Sequence, residues 1–130
     1  MTPQSCIDAL DRGLAEDGED VILRRRFGEG PDATYQPVTC RARVDRQGAT
    51  QSPAGILLAK YSLIMSPTQI NAASWPGAPL DDQPDADPRI PRENDIDDLI
   101  IRGERPRVIT MCDAKIIDGE LVRINLECMG

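Results

Sequence analysis

Val38-Thr39-Cys40-Arg41-Ala42-Arg43-Val44-Asp45 alternates apolar residues with polar and charged ones along its whole length. A period of two is the pattern of a β-strand with one face buried and the other in water. Upstream, Val21, Leu23 and Phe27 recur in one phase while Ile22, Arg24 and Arg26 take the other. The two runs read as antiparallel strands joined by a turn-rich segment, 28–37. In such a ribbon Arg24, Arg26, Arg41 and Arg43 share the outer face.

The reading extends in both directions. Towards the N-terminus, Ser5 is placed to cap a helix in which Ile7, Leu10 and Leu14 recur at spacings of three and four, ending near Gly18. On the other side, 47–55 reads as a polar connector, followed by an apolar run with a strand over at least 60–65. Ser66-Pro67-Thr68-Gln69 signals a short helix, with Ser66 as cap and Pro67 at the first helical position. Trp75-Pro76-Gly77 stops it, and Trp75 either seals the core beneath the following loop, the reading preferred here, or anchors an interface. In the last third, 96–101 is a short strand, Arg102-Gly103-Glu104 a turn, and 107–117 a long strand expected to bend or bulge at Asp113-Ala114. Asp118-Gly119 is a two-residue hairpin signal, because both central positions of a type I′ turn need positive φ. Beyond it Val122, Ile124, Leu126 and Cys128 alternate with Arg123, Asn125 and Glu127. The expectation is a mainly β fold of about six short antiparallel strands, a small β-barrel or sandwich with an N-terminal helix and one short internal helix. One domain over 1–130 suits this length, which buries roughly two thirds of the unfolded surface in a single core.

Residues 76–95 stand apart. Five prolines lie there among acids, with Leu80 and Ile90 the only sizeable apolar side chains, so the segment builds no core of its own and reads as a long acidic loop. Loops of that length in compact domains are often functional, which makes Asp81, Asp82, Asp85 and Asp87 candidate contact residues. They lack the spacing, central Gly and terminal Glu of an EF-hand, and Asp95-Ile96-Asp97-Asp98 runs straight into an apolar strand. Gly28-Glu29-Gly30 has no third Gly at the dinucleotide spacing and reads as a turn.

Composition narrows the chemistry. The chain has no His, the usual acid–base group near neutral pH and the commonest transition-metal ligand. Cys6, Cys40, Cys112 and Cys128 contain no CxxC knuckle and sit in or near apolar alternations, so packing is their expected role. No nucleophile beside a base and no separated carboxylate pair stands out, so no catalytic residue, metal or cofactor is assigned. The N-terminus lacks a basic start followed by an apolar run, and no stretch approaches the ~20 apolar residues that span a bilayer. The expected product is soluble, with reduced thiols and no membrane association.

The net charge of −7 is distributed in blocks. Residues 1–20 hold six acids against Arg12, 21–46 hold six Arg against three acids, and 81–98 hold eight acids against two Arg. Arg24-Arg25-Arg26 with Arg41 and Arg43 has enough guanidinium groups to hold phosphates, but the overall charge and the lack of interleaved aromatic residues argue against nucleic-acid binding as the main task. A basic ribbon and an acidic loop are better explained if they meet, within a subunit or between neighbours. Head-to-tail copies pairing unlike surfaces can close a ring.

A set of short stretches carries a resemblance. They are Glu19-Asp20-Val21-Ile22-Leu23-Arg24-Arg25, Val38-Thr39-Cys40-Arg41-Ala42, Ile64-Met65-Ser66-Pro67-Thr68-Gln69-Ile70 and Trp75-Pro76. Pro91-Arg92-Glu93-Asn94-Asp95, Ile100-Ile101-Arg102-Gly103 and Gly119-Glu120-Leu121-Val122-Arg123-Ile124-Asn125-Leu126 follow in order. Together they resemble the small head-tail connector proteins of tailed bacteriophages and prophages, in particular the head-closure or stopper group, over most of 18–130. The resemblance implies a small β-barrel without enzymatic activity, assembling as a ring, expected to be dodecameric, in the virion neck after synthesis in the bacterial cytoplasm. Its implied partners are other copies of itself, the portal or adaptor on the head side, and the tail-terminator or tail-tube protein on the tail side. Packaged DNA would pass through without sequence-specific binding, and residues 76–95 would project toward the channel or the neighbouring ring. The Pro and Asp content of that loop is longer than the group's pattern, which keeps the adaptor and tail-completion roles open. A cytoplasmic protein-binding module using a sheet edge or the acidic loop is the alternative from another class.

Overall fold

The computed structural model describes residues 2–28, 30–51, 54–55, 57–77, 87–93 and 96–130. Six strands, β1 (Glu19–Phe27), β2 (Thr34–Gln51), β3 (Leu57–Met65), β4 (Asp97–Ile101), β5 (Arg107–Ile117) and β6 (Glu120–Met129), close into a barrel in the order β1-β2-β3-β6-β5-β4. Every pairing is antiparallel. The closed barrel decides between the two architectures expected from the pattern. Closure gives each strand a neighbour on both sides over part of its length, which limits exposed backbone edges. Inward-facing Leu23, Cys40, Ala42, Leu63, Met65, Leu99, Ile101, Ile109, Ile124 and Cys128 are essentially inaccessible to solvent. Each such Leu or Ile contributes about 1.5–3 kcal/mol relative to exposure.

The β1–β2 ribbon forms as its alternation predicts, with Val21 beside Cys40 and Leu23 beside Val38. The connection is shorter than expected, because Phe27 pairs with Thr34 and β2 already includes Pro37. Pro37 lies where β2 pairs with β1 alone, an edge position that tolerates a residue without an N–H. The expected polar connector 47–55 is also partly strand, since β2 runs to Gln51 with an irregularity between Arg46 and Gly48. Asp45, Arg46, Gln47 and Gly48 are all exposed, so no buried face imposes an alternation that could be read there.

At the C-terminal hairpin, Asp118 (φ 50) and Gly119 (φ 79) form the tight turn between Ile117 and Glu120 as predicted. The irregularities of β5 fall between Ile109 and Met111 and between Lys115 and Ile116 rather than at Asp113-Ala114. Opposite the second one, Lys115 pairs with Arg123 and Ile116 with Leu121, which leaves Val122 over. Leu121 therefore joins the barrel core, whereas Val122 is buried beside Cys6, Ala9 and Leu10 of the N-terminal helix.

That helix, α1 (Pro3–Asp17), ends at Gly18 as expected but is capped by Thr2, not Ser5. Thr2 Oγ1 accepts from the Ser5 N–H and Ser5 Oγ accepts from the Thr2 N–H, a reciprocal box with Pro3 in the first turn. The short helix α2 (Thr68–Ala72) starts from Pro67 without a side-chain cap. Ser66 Oγ instead donates to Asp11 Oδ1 at 2.5 Å, and Thr68 Oγ1 donates to Asp11 Oδ2 at 2.6 Å. The same hydroxyl oxygen accepts from the Thr68 N–H at 3.4 Å, so Ser66 ties α2 to α1 and also takes up one N–H at the start of α2.

Candidate interaction site

The triplet Arg24-Arg25-Arg26 on β1 alternates like any strand, and this sends Arg25 inward with Val21 and Leu23. β4 supplies the matching acids, since Arg25 lies beside Asp97 and Arg24 beside Asp98. Asp97 shares the inward phase of Leu99 and Ile101, whereas Asp98 faces out. Two cross-strand ion pairs result, one inside and one outside.

The inner pair is fully buried on both sides. Arg25 Nε donates to Asp97 Oδ1 at 2.9 Å and Nη2 to Oδ2 at 2.8 Å, the two-pronged geometry that suits guanidinium and carboxylate. Remaining Arg25 donors reach the Pro88 carbonyl at 2.7 Å and the Ile90 carbonyl at 3.1 Å. Asp97 Oδ2 also accepts from the Arg92 N–H at 2.6 Å. Beneath the guanidinium lies the Trp75 ring, 4.8 Å from centroid to Cζ, and its indole N–H donates to the Gln36 carbonyl at 2.8 Å. One ion pair thus joins β1, β4, β2 through Trp75, and the segment 87–92. Trp75 is buried and belongs to the core, which bears out the expected seal.

Arg25 escaped the sequence reading, although its phase with Val21 and Leu23 carried the signal. The expected loop 76–95 is likewise not uniform. Pro91 is buried, Ile90 packs on the core, and Asp87 holds Arg89 through contacts of 3.0 and 2.8 Å. Arg89 Nη1 reaches Asn71 Oδ1 at 2.9 Å, and Glu93 Oε1 accepts from the Cys112 N–H at 3.0 Å. Hydrogen bonds from Arg89 hold the Asp87 carboxyl below its ordinary value, despite partial burial. Asp81, Asp82 and Asp85 lie outside the described residues.

The four outward arginines do share one side of the ribbon, but they do not form one cluster. Arg24 lies beside Pro37 and Arg41 beside Asp20, so even the nearest members of the two pairs are about 13 Å apart at ~3.3 Å per residue. Arg24 Nε and Nη2 each donate to Asp98 at 2.7 Å, and its guanidinium lies 4.1 Å from the Tyr35 ring centre. The hydrogen bond to Asp98 raises its pKa further. Arg41 donates to the Leu14 and Ala15 carbonyls at 2.9 and 3.4 Å, which satisfies the end of α1. Arg43 is exposed, 3.8 Å from Asp45. Arg26 forms no side-chain hydrogen bond or ion pair among the described residues. The basic ribbon and the acidic block therefore meet inside the subunit, at Arg24–Asp98 and Arg25–Asp97.

All four cysteines are free. Burial pushes the Cys40 thiol up to about 12 and the Cys128 thiol to about 11. Cys112 rises to about 11, through burial first and then the nearby carboxylates of Glu93, Asp113 and Asp97. These thiols stay protonated at neutral pH, a packing state rather than a nucleophilic one. Among the described residues, no group of three or more His, Cys, Asp or Glu is placed to hold a metal ion, and no helix is long and apolar enough to cross a membrane. What the arrangement does chemically is lock segments together through saturated ionic contacts. Compared with protein-family models and with curated proteins, the chain matches none.

Proposed function

We propose that the chain is a structural protein of the head-tail connector of a tailed phage or prophage, acting at the head-closure position as a ring subunit. The observation that carries this reading is where the resembling stretches fall on the barrel. Glu19 to Arg25, Trp75-Pro76 and the Pro91 stretch are far apart in sequence, yet they converge on the Arg25–Asp97 pair. Motifs that meet at one buried lock support a shared architecture better than motifs scattered over the surface. The lock also fixes the two ends of the acid-rich segment, Trp75 on one side and residues 87–92 on the other, to a rigid barrel. An acidic segment held in this way suits a channel through which phosphates slide without sticking. In this role the protein forms and breaks no covalent bond, and its work is to hold neighbours in register.

A nonsense mutation in the gene tests the reading. Particles should then stop as DNA-packaging heads without attached tails, and expression of the chain in trans should restore tailed particles. Normal tailed virions without the chain would reject the role and favour a cytoplasmic binding module.

A further inference from the structure

Two of the three large apolar side chains exposed among the described residues, Tyr35 at 44% and Val108 at 39%, stand on one outer face of the barrel. The register lines them up, with Pro37 beside Arg24, Arg24 beside Asp98 and Asp98 beside Val108, while Arg26 lies beside Tyr35. At the centre, Arg24 is neutralised by Asp98 and stacked on Tyr35, so these side chains are fixed before any partner arrives. An aromatic ring, a paired arginine and flanking apolar groups are the makings of an interaction hot spot.

The third exposed apolar side chain, Ile116 at 56%, lies farther along β5, about 25 Å from Val108 at ~3.3 Å per residue. It borders a hollow between the β5–β6 hairpin and α1, lined by Cys6, Ala9, Leu10, Ile117 and Val122 together with Arg123 and with Lys115, which pairs with Asp113 at 2.8 Å. The two surfaces are too far apart to belong to one contact. They also differ in charge. α1 carries Asp8, Asp11, Glu16 and Asp17 against Arg12 alone, and Asp8, Glu16 and Asp17 enter no ion pair among the described residues. The Tyr35–Val108 face carries the equally unpaired Arg26.

We propose that these are the two halves of one self-contact: the Tyr35–Arg24–Val108 face of one copy receives the Ile116 and α1 flank of the next. Unlike surfaces on one chain join head to tail, and a head-to-tail contact that closes makes a ring. The assignment rests on the reading of the chain as a ring subunit and names the surfaces that reading leaves open.

Two exposed substitutions in the full chain test it, Val108→Glu on the receiving face and Ile116→Asn on the flank. Sedimentation of the wild type over rising concentration should show association beyond a dimer. Each variant alone should associate about tenfold more weakly or less while keeping its melting temperature. An equimolar mixture should recover association but stop at one-to-one pairs, because only one intact face and one intact flank remain. Two variants that assemble like the wild type would show that another surface is used, leaving the ring reading in place. A mixture no better than either variant, a wild type that stops at dimers, or one that stays monomeric would also overturn the assignment.

Discussion

Arg25 and Asp97, both inaccessible to solvent, meet across β1 and β4 through hydrogen bonds of 2.9 and 2.8 Å. Desolvation offsets most of what such a pair gains in attraction, so its net contribution to stability is small. Its value here is geometric. The same guanidinium holds the Pro88 and Ile90 carbonyls and lies over the Trp75 ring, and the same carboxylate holds the Arg92 N–H.

Breaking the pair from one side should therefore cost far more than removing it whole. Arg25→Met leaves Asp97 buried without its cation and should destabilise the protein by about 3–5 kcal/mol in urea unfolding. The double change Arg25→Met with Asp97→Leu should recover most of that loss. It should also speed hydrogen exchange at the Arg92 amide, whose acceptor is gone. A double variant as unstable as the single one would contradict the account.

Two glycines around α1 should respond with opposite signs. A Cβ at Gly18 would meet the Leu14 carbonyl oxygen at 2.5 Å and the Ala42 carbonyl oxygen at 3.1 Å, both backbone atoms that cannot swing aside. Gly18→Ala should destabilise by about 1–3 kcal/mol. Gly13 has open space where its Cβ would be, and Gly13→Ala should stabilise by about 0.5–1 kcal/mol through helix propensity. Thermal melts of the two variants decide both.

How much of this was legible in the sequence depends on the range of the cause. The alternation from Val38 to Val44 and the Asp118-Gly119 turn are local, and they foretold an antiparallel β fold and its final hairpin. The partners of Arg24 and Arg25 lie seventy or more positions away, and only strand register brings Asp97 and Asp98 beside them. The outer-face arginines were correctly phased, yet Arg41 is occupied by the end of α1 because a helix terminus needs donors or acceptors that no pattern on β2 announces. Val122 misled for a similar reason, since one extra residue opposite Lys115 and Ile116 shifts the strand's phase.

Acid should loosen the Asp87–Arg89 contact in a defined window. The folded-state pKa of Asp87 lies below its ordinary value of 3.8, so the carboxylate's contribution is fully present above that value and is lost as pH falls through the lower, folded one. An NMR titration of the Asp87 carboxyl carbon should place its midpoint below 3.8, and Asp87→Asn should abolish the accompanying shift at the Arg89 Nε–H. A midpoint at or above the ordinary value would contradict the contact.

The thiols should separate by burial. In the folded protein at pH 8, Cys40 and Cys128 should resist iodoacetamide, being both buried and held at about 12 and about 11. Cys6, only partly buried, should be labelled first, and urea should make all four react. Rapid labelling of Cys40 without denaturant would mean that the barrel opens at β2.

The most direct test of the chain's assignment to the phage neck is its copy number in purified particles, measured by quantitative mass spectrometry and scaled to the portal protein. A subunit of the head-closure ring should appear at close to one copy per portal subunit. Its absence from particles that contain portal, capsid and tail would contradict the assignment outright.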